Sequence, residues 1–126
     1  MSFLAEFSDS ELSIFSRALH EARFAELEND PIVWISPFVI GLHVAALDEQ
    51  KRRMGERGQF AEIARMAEWL RWEGRPEAAT VVRRIRENPS LRIAIEEGDG
   101  AVLREILLPF SLSDEDISRV VAQLSE

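Results

Sequence analysis

Apolar residues recur along most of this chain at spacings of three and four, and no stretch alternates apolar with polar over the length of a strand. The pattern predicts an all-α fold of six to seven short helices. Ser8-Asp9-Ser10-Glu11 has the form of a capping box and opens a first helix running to about Glu28, with Leu12, Phe15, Leu19 and Ala22 along one side. Asn29-Asp30-Pro31 breaks the chain. The four apolar residues Ile32 to Ile35 fit either a short extended stretch or a helical turn. Ser36-Pro37 starts a second helix that ends near Met54, before Gly55.

A third helix is expected from about Gln59 to Glu73, stopping at Gly74. A fourth runs from Pro76 to near Glu87, and a fifth from Asn88-Pro89 to about Glu97. Asp99 can cap a sixth that ends at Leu108, before Pro109. Ser113 can cap a seventh, whose first turn carries Asp114, Glu115 and Asp116 against the positive end of the helix dipole. Short connections make sequence neighbours antiparallel neighbours. The whole, residues 1–126, reads as a single helical domain.

Composition narrows the class. With 46% apolar and 30% charged residues the chain can build a core and is too hydrophobic to be disordered. It has no cysteine, which excludes disulfides and thiolate metal sites and fits a reducing, cytoplasmic setting. The first residues lack the basic-then-apolar form of a secretory signal, and the apolar run Ile32–Leu47 is interrupted and short of the ~20 residues a membrane span needs, so no membrane partner is expected. Only one of its fifteen basic residues is lysine, a bias typical of GC-rich, bacterial genomes.

Charge is unevenly laid out. Residues 1–50 hold two arginines and nine acids. Residues 51–92 hold eleven basic residues and six acids, and residues 93–126 two arginines and eight acids. The plainer reading folds acidic ends against a basic middle. The sharper one makes Arg75, Arg83, Arg84, Arg86 and Arg92 a patch for nucleic-acid phosphates. A net charge of −8 argues against that partner.

Few residues carry chemistry. There is no phosphate-binding glycine loop, no zinc-type histidine pair and no calcium-loop spacing, so no cofactor and no metal is expected. His20 falls on the polar side of the first helix. His43 lies among Val39, Ile40, Leu42, Val44 and Leu47 and reads as a buried, hydrogen-bonded core histidine, or else as the centre of a ligand-binding or catalytic pocket.

The third predicted helix is the most informative. At about 100° per residue, Phe60, Ile63, Ala64, Ala67 and Leu70 share one face, with Trp69 and Trp72 nearly opposite and Arg65 a turn or two earlier. A helix apolar on two faces is either sandwiched between neighbours or presents an interface. Tryptophan and arginine are the residues that dominate binding hot spots, so Arg65, Trp69 and Trp72 are the candidate partner-binding residues. The stretch Ala67-x2-Leu70-x3-Gly74-x3-Ala78-Ala79, ending at Pro89, is similar to one tetratricopeptide hairpin. It is a couple of residues short and has no second copy, so it is read as helix–turn–helix chemistry without a family. The expected function is therefore protein–protein interaction without catalysis. The chain itself would be a small bacterial regulator or a toxin-neutralising immunity protein, and its partner another protein or a second copy in a homodimer.

Overall fold

The computed structural model describes residues 2–25 and 31–126. The fold is all-α, and among the described residues there is no strand. A 3-10 turn, Ser2–Glu6, precedes eight α-helices: α1 Asp9–Phe24, α2 Pro31–Ile35, α3 Pro37–Glu56, α4 Phe60–Trp69, α5 Glu77–Arg86, α6 Pro89–Glu97, α7 Ala101–Leu107 and α8 Asp114–Leu124. No described helix is long and apolar enough to cross a membrane.

The start signals act as the sequence implies. Ser8 Oγ accepts from Glu11 N at 3.1 Å while Ser8 N donates to Glu11 Oε1 at 2.8 Å. Ser113 and Asp116 make the same reciprocal pair at 3.0 and 2.8 Å. Asn88 Oδ1 caps α6 through Leu91 N, and prolines 37 and 89 occupy the first turns of their helices. Gly100 occupies the N-cap position of α7, and Asp99 Oδ1 accepts from Ala101 N at 3.4 Å. The φ of Gly100 is 96°, and a Cβ there would lie 2.9 Å from Ile117 Cδ1, so both backbone and space require glycine.

Two boundaries differ from expectation, and residues 32–35 take the helical of their two readings. α1 ends at Phe24, where Ala25 turns extended, four residues before the predicted end; residues 26–30 lie outside the described set. Residues 31–35 are helical. The third predicted helix ends at Trp69, because Ser111 N donates to Leu70 O at 2.8 Å and Trp72 N donates to Ser111 O at 3.0 Å. This pairing gives an isolated parallel bridge between Arg71 and Ser111 and takes Trp72 out of the helix.

α1 packs on α2 and α3, α3 on α4, and α5 on α6 and α8, with α1 also touching α5. The main core joins Phe24, Trp34, Trp72, Ile85, Leu107 and Phe110, among others. A satellite cluster of Leu4, Leu12 and Ala46 is closed by Phe7 and Phe15. Two buried arginines tie the halves together. Arg84 donates to the carbonyls of Arg23 (2.5 Å) and Ala25, satisfying the end of α1. Arg23 donates to the carbonyls of Trp34, Ile106 and Leu108, the last two at the end of α7, and to Nδ1 of His43. Of the arginines in the basic middle, Arg53 and Arg57 reach Asp9 and Arg86 reaches Glu126. Arg52, Arg65, Arg71, Arg75, Arg83 and Arg92 pair with acids a few residues away.

Candidate functional site

α4 has an inner and an outer side. The inner side closes a cleft of about 540 Å³. One face of α1 supplies Ser13, Ser16, Arg17, His20 and Glu21. α3 supplies His43, Leu47 and Gln50 at the i, i+4, i+7 spacing, α4 supplies Met66 and Trp69, and the approach to α5 supplies Arg75 and Glu77. The outer side of α4 carries Phe60, Ala64 and Ala67 in one exposed stripe.

Across the cleft runs a chain of polar contacts. His20 Nε2 lies 3.2 Å from Glu77 Oε1. Because a carboxylate only accepts, the proton of that bond sits on Nε2. Arg75 grips Glu77 with two bonds, 3.0 and 2.9 Å, and donates to Trp69 O at 3.0 Å. Its guanidinium stacks 4.5 Å from the centre of the Trp69 ring and 5.3 Å from that of Phe110. Burial would raise the Glu77 pKa, but pairing with Arg75, its own backbone N–H and His20 outweigh that and hold it below the ordinary carboxylate value. The His20 ring is walled by Phe24, Trp69, Phe110 and His43, with ring centres 5.3, 5.5, 5.8 and 5.9 Å away.

His43 is 1% exposed and accepts at Nδ1 from Arg23 Nη1 at 2.8 Å, as a buried histidine must. Arg23 has no lone pair to offer, so the His43 proton is on Nε2. Burial first, then the nearby Arg23 and His20, push the His43 pKa down to about 3, and the ring is neutral at physiological pH. Two polar atoms at the cleft, His20 Nδ1 and Gln50 Oε1, are shielded and have no hydrogen-bond partner among the described residues. Among the described residues no group of three His, Asp or Glu side chains could hold a metal ion.

The structure separates the three candidate partner-binding residues. Trp72 is 4% exposed and belongs to the main core, its ring edge-on to Phe110 at 5.4 Å. Trp69 is 48% exposed and forms the rim of the cleft. Arg65 is exposed and pairs with Glu62 at 2.6 Å. The two tryptophans do not share a helix face because the helix ends between them. The face expected to be core behaves differently along its length: Leu70 is buried and Ile63 partly so, while Phe60 is 68% exposed and Ala64 and Ala67 are exposed. α4 thus has no buried residue at all.

The nucleic-acid candidates do not form an open cationic patch. Arg75 is held by Glu77 and Trp69, Arg84 is buried on backbone carbonyls, and Arg83, Arg86 and Arg92 pair with Glu87, Glu126 and Glu96. His20, Glu77 and Gln50 are the residues that sequence reasoning passed over. Only the scarcity of histidine marked His20, since its partner Glu77 is 57 positions away. The chain matches no protein-family model, and no curated protein or solved structure is detectably similar to it.

Proposed function

We propose that this chain works by protein association through the outer face of α4, and that the surface it meets is the same face of a second copy. The carrying observation is that α4 buries no residue while Phe60, Ala64 and Ala67 line its solvent side. Leaving that stripe in water forgoes the stabilisation that apolar burial gives a helix.

The stripe is self-complementary. It is bulky at the N-terminal end and small at the other. An antiparallel pairing about a two-fold axis near Ala64 sets each Phe60 over the partner's Ala67 and lets the backbones approach at Ala64. Glu62 and Arg65 are already paired within the helix, so a neighbouring copy meets no isolated charge there. A ten-residue helix is about 15 Å long, so the contact falls at the small, reversible end of interface sizes.

Sedimentation equilibrium tests this. Wild type should show a reversible dimer with a dissociation constant on the order of 10–100 µM. Ala64→Arg should be monomeric with an unchanged melting temperature. A wild type that stays monomeric at millimolar concentration overturns the reading.

A further inference from the structure

We infer that the cleft between α1, α3 and the inner side of α4 is a binding site for a small, neutral, planar molecule bearing hydrogen-bond donors along one edge, of the amino-heteroaromatic class to which nucleobases belong. This site is independent of the outer stripe of α4.

The class follows from what the cleft offers. Its two shielded, unpartnered atoms are both acceptors. In the neutral imidazole, whose single N–H is the one facing Glu77 at Nε2, His20 Nδ1 is a lone pair, and Gln50 Oε1 is an amide oxygen. Buried acceptors without donors are costly and rare, and two on one cleft call for a ligand with two donors. Arg75 stays on Glu77 and on the Trp69 ring, so it is not free to recruit an anion.

The formal charges at the cleft balance: Arg17 and Arg75 stand against Glu21 and Glu77, which favours a neutral ligand over a phosphate or an ammonium. The tryptophan at the rim supplies a flat surface for a ring, and the volume, about 540 Å³, is in the range that small-molecule sites occupy. His20 is fixed as an acceptor through Glu77, and Glu77 is fixed in turn by Arg75, so the ring is oriented before any ligand arrives. Both acceptors lie beneath the cleft surface. α4, which contributes Met66 and Trp69 to the lining, has no buried residue of its own.

The test is a titration of the full chain with adenine, cytosine and nicotinamide, beside two probes lacking the donor edge, N6,N6-dimethyladenine and inorganic phosphate. Tryptophan fluorescence follows Trp69, and long-range proton–nitrogen NMR follows the ring nitrogens of His20. At least one of adenine, cytosine and nicotinamide should saturate at millimolar concentration or below and shift the His20 Nδ1 resonance, with N6,N6-dimethyladenine, which lacks the exocyclic N–H donors, and phosphate at least tenfold weaker. Gln50→Leu should weaken that probe about tenfold, and Trp69→Phe should abolish the fluorescence response while the NMR shift persists. Absence of saturation by all three donor-bearing probes overturns the inference. So does binding that leaves His20 Nδ1 unmoved, or phosphate binding as tightly as the best donor-bearing probe. The wild-type NMR titration decides the matter even if a variant folds poorly.

Discussion

Replacing Arg23 by leucine should destabilise the fold by about 3–5 kcal/mol, a large share of the total for a domain of this size. Arg23 is 0% exposed, and none of its four acceptors is a carboxylate: they are the carbonyls of Trp34 (3.3 Å), Ile106 (2.7 Å) and Leu108, and Nδ1 of His43 (2.8 Å). Leucine leaves all four without that donor, and the three buried ones, Trp34 O, Ile106 O and His43 Nδ1, cost about 1–3 kcal/mol each.

An offset runs the other way. Burial lowers the Arg23 pKa to about 10, equivalent to about 3 kcal/mol against the charged form, and that penalty disappears with the charge. The last carbonyls of α7 and the dipole behind them reduce the penalty in the native protein but cannot serve leucine. The net is therefore smaller than the sum of lost bonds and still large. Urea denaturation followed by circular dichroism at pH 7 measures it, and Arg65→Leu, at an exposed site paired only to Glu62, should change stability by no more than about 0.5 kcal/mol. An Arg23→Leu protein within 1 kcal/mol of wild type would refute the assignment of Arg23 as the hub between α1, α2, α3 and α7.

Further outcomes follow from burial and charge. Trp72→Ala should cost about 3–5 kcal/mol in thermal melts, whereas Trp69→Ala, at a half-exposed rim, should cost about 1 kcal/mol. His43 should make the protein acid-sensitive. Its pKa is about 3 folded against 6.5 unfolded, so the unfolded chain takes up the proton first, and the stabilisation present above pH 6.5 is lost as pH falls. Between pH 7 and pH 5 this single group accounts for about 2 kcal/mol, so wild type should lose about that much more stability than His43→Gln in paired denaturation curves. Equal losses would show that His43 does not carry the effect. The arginines at 75, 83, 84, 86 and 92 should not confer nucleic-acid binding: retention of duplex DNA at about 0.15 M salt is expected to be negligible, and salt-dependent binding lost on mutating these residues would reverse that.

Much of the fold was legible because it is written locally. Ser8 with Glu11, Ser113 with Asp116, and Ser36 with Val39 fix helix starts through contacts three residues apart, which a sequence displays directly. What was not legible depends on partners far along the chain. Trp72 reads as helical until Ser111 bonds Leu70 and Trp72 and draws the backbone away. Nothing local in the sequence marks Arg23 for burial; α7 ends beside it with carbonyls that accept from its guanidinium.

The site was half visible. His43 announced burial through its apolar neighbours, but His20 depends on Glu77, and no spacing rule joins them. Periodicity showed α4 to be apolar on two sides without saying which side faces out. Trp69 and Met66 face the cleft, so the outer side is the Phe60 stripe, the reverse of what hot-spot composition suggests.

The most direct test of association through α4 uses the absence of cysteine from the chain. Ala64→Cys introduces one thiol at the expected axis, where closely packed antiparallel helices bring equivalent positions within disulfide reach, Cα atoms about 4.4–6.8 Å apart. Ala122→Cys places one on exposed α8 as a control. Under mild oxidation at 100 µM or so, well within the proposed association range, the account predicts rapid covalent dimer from Ala64→Cys and little from Ala122→Cys. Equal, slow cross-linking at both positions would contradict it.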